Sequence, residues 1–466
     1  VAVIGAGVGG LGTALRLARA GIGVTIFEAR DEPGGLAGDL EIEGLPFDVG
    51  PYILLDRPGL AWAFESLGLD LDAEVPLRRI EQVYSVESPA APAVTIAADL
   101  DETCANLERH WPGSGTKYRE LAGRLTTAYQ RLIPIQQGPP PRARDLLRTG
   151  AWRSAGYLFR PLRDVLGRAG LPKPVVDALA IWSHVAGQSP GAAPAPLAFV
   201  AATIHGVGAC YPADGLGAIP RVLARAAIAA GVELRLGTPI LAIRRDSNGR
   251  VSGVETQAGE FIAADSVVSD AGGVGTYLEL TGGVPARFQA RLKSLPLQSP
   301  GACAYLAIRG SSLPNYLRFH LPGGGSLCRL LIRPSLIRPG CERDGWAPAR
   351  LIAPMLHADA ERLGPDGQRE FLGHVLDDPW WHEAAGEFRV LRTRVPADWG
   401  REFHQHRDSM NPVMTARFMR QGRLAHRSSV VPGLYLTGSS THPGQWVSFC
   451  AISGVLAADR VIEDRR

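Results

Sequence analysis

Lysine is nearly missing from this chain: of its 49 basic residues, only Lys117, Lys173 and Lys293 are lysines. Neither sign of charge is in excess, with 49 basic against 46 acidic residues and a net charge of +3. Nucleic-acid binding normally leaves a far larger basic footprint, so this balance argues against nucleic acid as a partner. Cysteine is sparse as well. The six, Cys104, Cys210, Cys303, Cys328, Cys341 and Cys450, include no pair at C-x-x-C spacing. Zinc ribbons and thioredoxin-like redox pairs are therefore unsupported, and no metal site is expected. A long chain with scattered thiols needs no disulfide framework, which suits a reducing compartment. Long hydrophobic runs are lacking too. The longest small-apolar stretch, residues 191–204, carries Pro194 and Pro196 and falls short of the ~20 residues that a membrane span requires. The first residues show neither a basic leader nor a cleavage site, so the expected location is the cytoplasm.

What remains is a chain of 466 residues, 45% hydrophobic and 20% charged, enough to bury a large core spread over two or three domains. It begins with a short apolar run, Val1-Ala-Val-Ile, that leads straight into Gly5-Ala-Gly7-Val-Gly9-Gly10. Leu11, Ala14, Leu15 and Ala18 then recur at helical spacing, and Gly21 is positioned to end the helix. A second strand, Val24-Thr-Ile-Phe, ends on Glu28, 18 residues beyond Gly10. This is a strand–helix–strand unit with G-x-G-x-x-G at its first turn. Such glycines let the backbone approach a pyrophosphate, whose charge sits at the helix N-terminus, while the terminal acid can bind the hydroxyls of an adenosine ribose. The dinucleotide reading rests on strand, helix, glycines and acid together.

Two further stretches extend this unit. Ala29-Arg30-Asp-Glu-Pro-Gly34-Gly35-Leu36 follows the acid directly, and Phe47-Asp48-Val-Gly50-Pro51 lies a short way on. In these residues the sequence resembles the phytoene desaturase family, FAD-dependent enzymes of carotenoid synthesis within the larger amine-oxidase group. Leu36 departs from that family, which usually has a basic residue there able to reach the pyrophosphate. In this chain Arg30 supplies that charge or none does. The resemblance resumes around residues 205–275, although Asp214-Gly215 stands where the family commonly has a double glycine. Here residues 219–230 read as a helix and 232–236 as a strand, and 240–268 read as a run of strands turning at Asn248-Gly249, a strong hairpin signal. By resemblance Ile240 packs on the adenine; the plain reading is that Ile240 is core.

The last block is Gly433-Leu-Tyr-Leu-Thr-Gly438-Ser439-Ser-Thr-His442-Pro-Gly-Gln-Trp446-Val447. A strand again meets a glycine and a helix, whose Val447, Ala451, Val455 and Ala458 make a stripe for burial. By resemblance Gly438 and Ser439 approach the pyrophosphate, and the backbone near Val447 donates to the flavin pyrimidine carbonyl. Two catalytic candidates lie here. With an intrinsic pKa of ~6.5, His442 is either a proton acceptor beside the flavin or the holder of a loop. Trp446, where the family has a small residue, is a stacking platform for substrate, a plug against a long polyene, or a core residue turned away. Cys450 reads as a buried thiol rather than a flavin attachment point. Trp380-Trp381-His382, with Phe371 and Phe388, reads as the lining of a hydrophobic substrate site, as a surface that touches a membrane or, at least as well, as core.

The implied fold is α/β: a Rossmann-like FAD/NAD(P)-binding domain of the glutathione-reductase/amine-oxidase type with an interleaved α+β substrate domain. Residues 1–75, 205–275 and 425–466 are expected to form the first, and 76–204 and 276–424 the second. The implied activity is introduction of double bonds into a hydrophobic isoprenoid of carotenoid type by hydride transfer to FAD. Oxygen or a quinone would accept the electrons, and peripheral membrane contact is implied because such substrates partition into lipid. Two other readings stay open: an FAD-dependent oxidase or desaturase tailoring a smaller secondary metabolite or amine, and a flavin-free binding protein like the Rab GDP-dissociation inhibitors.

Overall fold

The computed structural model of the chain describes residues 1–89, 91–154, 156–310, 314–421 and 423–466. Its first sheet is assembled from distant pieces of sequence. The opening apolar run forms β1 (Ala2–Ile4), followed by helix α1 (Val8–Arg19), β2 (Thr25–Phe27), β3 (Glu233–Arg235), β4 (Val267–Ser269) and β5 (Leu434–Leu436). All five strands are parallel, in the order β5-β4-β1-β2-β3. The chain runs outward from β1 through β2 to β3 and then returns to the other side of β1 for β4. The direction of winding therefore reverses between β1 and β4, and open parallel sheets bind their ligands in the crevice at the carboxyl ends of such a pair.

The final helix α2 (Val447–Arg465) lies against α1. Its expected stripe of Val447, Ala451, Val455 and Ala458 is buried. Glycine sets how near the helices come: a Cβ on Gly454 would lie 2.7 Å from the Gly9 carbonyl oxygen, and Thr13 Oγ1 donates to the Gly454 carbonyl at 3.1 Å.

The expected run of strands after Ile240 is present. Ile240–Arg245, Val251–Thr256 and Phe261–Ala263 pair antiparallel, turning at Asn248-Gly249, where Asp246 Oδ1 accepts from the amides of Asn248 and Arg250. A seven-stranded mixed sheet is built from Gln82–Ser88, Ala91–Ala97 and five strands between residues 302 and 394. One of its neighbouring pairs, Leu317–His320 with Gln82–Ser88, is parallel, and the other pairs are antiparallel. Helices Lys173–Val185 and Phe199–Gly206 belong to the same core cluster as that sheet's Tyr84, Phe319 and Leu330. Residues Cys210–Pro212 form a short strand against Leu77–Arg79. The Tyr211 hydroxyl donates to Asp48 Oδ2 at 2.7 Å, so the Phe-Asp-Val-Gly-Pro stretch is tied to a segment more than 160 residues away. Trp381 is fully buried, its indole N–H donating to Val375 O; this decides for core over a hydrophobic surface.

Candidate functional site

At the β1/β4 crevice the structure opens into a cavity of about 490 Å³ that runs from the glycine turn toward the seven-stranded sheet. The turn enters it through Gly5, Gly7 and Gly9, with Gly10 and Gly438 just beneath the lining. Side chains have no room here. A Cβ on Gly10 would lie 2.1 Å from the Gly5 carbonyl oxygen, and one on Gly438 would lie 2.0 Å from Asp270 Oδ1. α1 starts on Gly7 without a capping side chain, so its N-terminal end, with its partial positive charge, faces the cavity.

Glu28 follows β2, where the spacing placed it. Its Oε2 accepts from Ala6 N at 2.7 Å and its Oε1 from Arg30 N at 3.0 Å. Each oxygen keeps a second lone pair for a hydroxyl donor. Ala29 and Arg30 continue the wall, and the Arg30 guanidinium is held by Glu32 at 2.5 Å and by the Phe403 ring at 4.5 Å from its centroid. Gly34 and Gly35, both at positive φ, turn the chain so that Leu36 also reaches the cavity. A Cβ on Gly50 would lie 2.6 Å from the Leu36 carbonyl oxygen, so Gly50-Pro51 is laid directly over that turn. Ile240 lines the cavity too, and so do Ser439, Trp446 and Val447. Ile240 is at the same time 8% exposed and part of a core cluster, as the core reading has it.

The two catalytic candidates separate. Trp446 lines the cavity as the residue capping α2, its ring stacked on Phe449 with centroids 5.0 Å apart. His442 is outside the lining; its Nε2 donates to Ile135 O at 3.0 Å. Burial, then the nearby Arg423 and His426, push its pKa down to about 3. A ring so weakly basic and so engaged holds the loop, the second of its two readings. Cys450 reaches the cavity as a neutral thiol, its pKa raised by burial.

Two residues not singled out in the sequence are prominent here. Asp270 follows β4 as Gly5 follows β1, and its Oδ2 accepts from Gly10 N at 2.9 Å. An acid standing directly before Ala271-Gly272 at a strand end was the available signal. Arg350 is 3% exposed and lines the cavity where the sheet meets Gly50. Its Nη2 donates to Gly50 O at 3.1 Å, while Nε and Nη1 meet no oxygen or nitrogen acceptor among the described residues. Around it the far wall is largely apolar, with Leu54, Leu55, Trp182, Val200, Leu330 and Ile352. All three lysines are exposed and none lines the cavity.

Comparison with known proteins places this crevice in a flavoenzyme family: residues 8–287, more than half of the chain, match the family model for flavin-containing amine oxidoreductases. The chain belongs to that family. It is also 26% identical, over 99% of its length and 93% of the relative's, to a zeta-carotene-forming phytoene desaturase of Myxococcus xanthus. A lycopene-forming phytoene desaturase of Pseudescherichia vulneris matches at 26% identity over 99% of both chains. Among solved structures, putrescine oxidase bound to putrescine superposes with a TM-score of 0.65, covering 99% of this chain and 98% of that one, at 17% identity. This flavin oxidoreductase therefore shares its fold with amine oxidases and its whole length with carotenoid desaturases. The cradle fits a flavin nucleotide on its own terms: side-chain-free backbone, a helix N-terminus and an acid with spare lone pairs converge at one sheet end.

Proposed function

We propose that this flavin oxidoreductase holds FAD and dehydrogenates a hydrophobic, carotenoid-type isoprenoid. The observation that carries the reading is a single cavity with a glycine-lined pyrophosphate cradle at one end and an apolar wall at the other. The names of the full-length relatives point the same way. The proposed division is a cofactor domain of residues 1–75, 205–275 and 425–466 and a substrate domain of 76–204 and 276–424. Gly5, Gly7, Gly9, Gly10, Gly438 and Ser439 would hold the pyrophosphate. Glu28 would take the adenosine ribose, with Ala29 and Arg30 beside it and Ile240 against the adenine. Gly34, Gly35, Leu36, Gly50 and Pro51 would border the rings, with the Val447 backbone donating to the pyrimidine carbonyl.

Bound flavin supplies hydride acceptance from an activated C–H bond. The chain's own part is to bury the substrate, exclude water with the aliphatic and aromatic wall, and stack Trp446 at the rim of the reacting region. Oxygen or a quinone would take the electrons. Peripheral membrane contact is supported by Leu147 and Trp152, which are 67% and 53% exposed beside Arg144, Arg148 and Arg153. No described helix is long and apolar enough to cross a membrane.

A second reading, tailoring of a smaller and more polar metabolite, is favoured by Arg350, which lies against Cys303 and whose Nε and Nη1 meet no oxygen or nitrogen acceptor among the described residues, an arrangement that suits an oxygen-bearing substrate. The exposed positions of the lysines speak against a lysine-assisted amine oxidase. The test is to denature the purified protein, identify the released flavin, and assay the holoprotein on acyclic polyenes with product double bonds counted by absorption spectrum. FAD release with stepwise lengthening of the polyene supports the proposal. Release of FMN, or turnover of small oxygenated substrates alone, overturns it.

A further inference from the structure

We infer that Asp270 makes cofactor binding depend on protonation: the carboxyl must carry a proton for the flavin dinucleotide to be held, and the cofactor is released as that proton is lost. The inference rests on the cradle holding a dinucleotide pyrophosphate, as proposed above.

The geometry is unusual for an acid. Asp270 stands at the switch between β1 and β4, wedged among the glycines: a Cβ on Gly7, Gly9 or Gly438 would lie 2.4, 2.8 or 2.0 Å from one of its carboxyl oxygens. The backbone that must approach the pyrophosphate therefore already surrounds a carboxyl group. Its Oδ2 accepts from Gly10 N in the first turn of α1, the helix end that would otherwise serve an anion alone. No described cation is paired with it. The strand end of β2 brings Glu28, an acid that adds repulsion, and α2 brings the uncharged Cys450 thiol. The turns at Gly5 and Gly438 bring backbone, and His406, on the turn His406–Asp408, packs against Gly275 and pairs with Glu279. Arg30 is turned toward Glu32 and Phe403.

Burial first, opposed by the Gly10 amide and aided by Glu28, pushes this carboxyl up to about 7. A pyrophosphate in the same cradle adds negative charge and raises it further. The protonated acid matches both neighbours, because one oxygen accepts from Gly10 while the other donates to a phosphate oxygen. The ionised acid can only accept, and it repels. Binding therefore takes up a proton when the free carboxyl is ionised. Affinity is level below the free carboxyl's range and falls above it, by about tenfold per pH unit for one linked proton.

Holoprotein is diluted into cofactor-free buffers from about pH 5.5 to about 9, and the rise in free-flavin fluorescence gives the dissociation constant. In the wild type that constant stays level at the acid end and climbs by about tenfold per unit at the alkaline end. Asp270→Asn, which offers an acceptor to Gly10 and a permanent donor to phosphate, holds flavin equally at both ends. A second measurement needs no variant: titration calorimetry in buffers of different ionisation enthalpy shows uptake of a fraction of a proton on binding at mildly alkaline pH. A level wild-type constant, parallel curves for wild type and Asp270→Asn, or binding without proton uptake each overturns the inference. Failure of the wild type to hold flavin even at the acid end instead overturns the cofactor reading beneath it.

Discussion

Replacing Gly454 by alanine sets a methyl group between two helices that already touch through their backbones. The new Cβ would lie 2.7 Å from Gly9 O, 3.1 Å from Thr13 N and 3.3 Å from Gly12 C, all main-chain atoms that cannot rotate away. α1 and α2 must separate, which costs about 1–3 kcal/mol for overpacking. Lengthening the Thr13 Oγ1 to Gly454 O bond costs about 0.5–1.5 kcal/mol more. Alanine's better helix propensity returns about 0.5–1 kcal/mol. The balance is a loss of about 0.5–4 kcal/mol, centred near 2, and because Gly9 belongs to the cradle, flavin retention should weaken as well. Gly123 is the control: it lies in helix Ser114–Gln136 with nothing within 4 Å of the place a Cβ would take, so Gly123→Ala should stabilise by about 0.5–1 kcal/mol. Thermal melts of both variants, with flavin released at half-melt read by fluorescence, test the pair. A Gly454→Ala protein that melts with the wild type and keeps its flavin would refute the close-contact argument.

His442→Gln should cost about 1 kcal/mol through the lost bond to Ile135 O and leave the pH profile of turnover unmoved, since the ring is already neutral over the working range. A profile that shifts with the substitution would restore His442 as a proton acceptor. Arg350→Met should raise KM for any oxygen-bearing substrate more than for a polyene; an unchanged KM for such a compound would remove Arg350 from recognition. Asp398 is opposed by burial but pulled down to about 2 by Arg369, the Val395 amide and Arg401. Its folded pKa lies below its unfolded one, so its stabilisation is present above ~pH 4 and fades as pH falls toward 2. Melting curves of Asp398→Asn and wild type should therefore differ at neutral pH and converge in acid. Substituting Leu147 and Trp152 by glutamate should abolish sedimentation with anionic liposomes without altering the melt; retained sedimentation would contradict contact through that face.

The cofactor-facing half of the fold was legible because its signals are local. Glycines at fixed spacing between an apolar strand and a helix have few other uses, and the turn at Asn248-Gly249 announces its hairpin in two residues. The helical stripe from Val447 to Ala458 was readable for the same reason. What escaped depends on partners far away in the chain. Arg350 sits inside an ordinary apolar strand, Ala347–Ala353, and only the approach of Gly50 makes it a cavity residue. Asp270 gains its meaning from Gly9 and Gly438, brought together by parallel pairing across more than 160 residues. His442 carried a motif-like context, yet the carbonyl that occupies it comes from Ile135 on a helix with no local link to it. Periodicity also could not tell Trp381 in a core from Trp381 on a surface, because an aromatic pair at a helix start looks alike in both.

The most direct test of the account is an anaerobic titration of the purified holoprotein with an acyclic polyene, following the oxidised-flavin band near ~450 nm. The band should bleach in proportion to added polyene while a longer-wavelength polyene absorption grows. A flavin band that stays intact through excess polyene, yet bleaches with a small oxygenated metabolite or an amine, would contradict it.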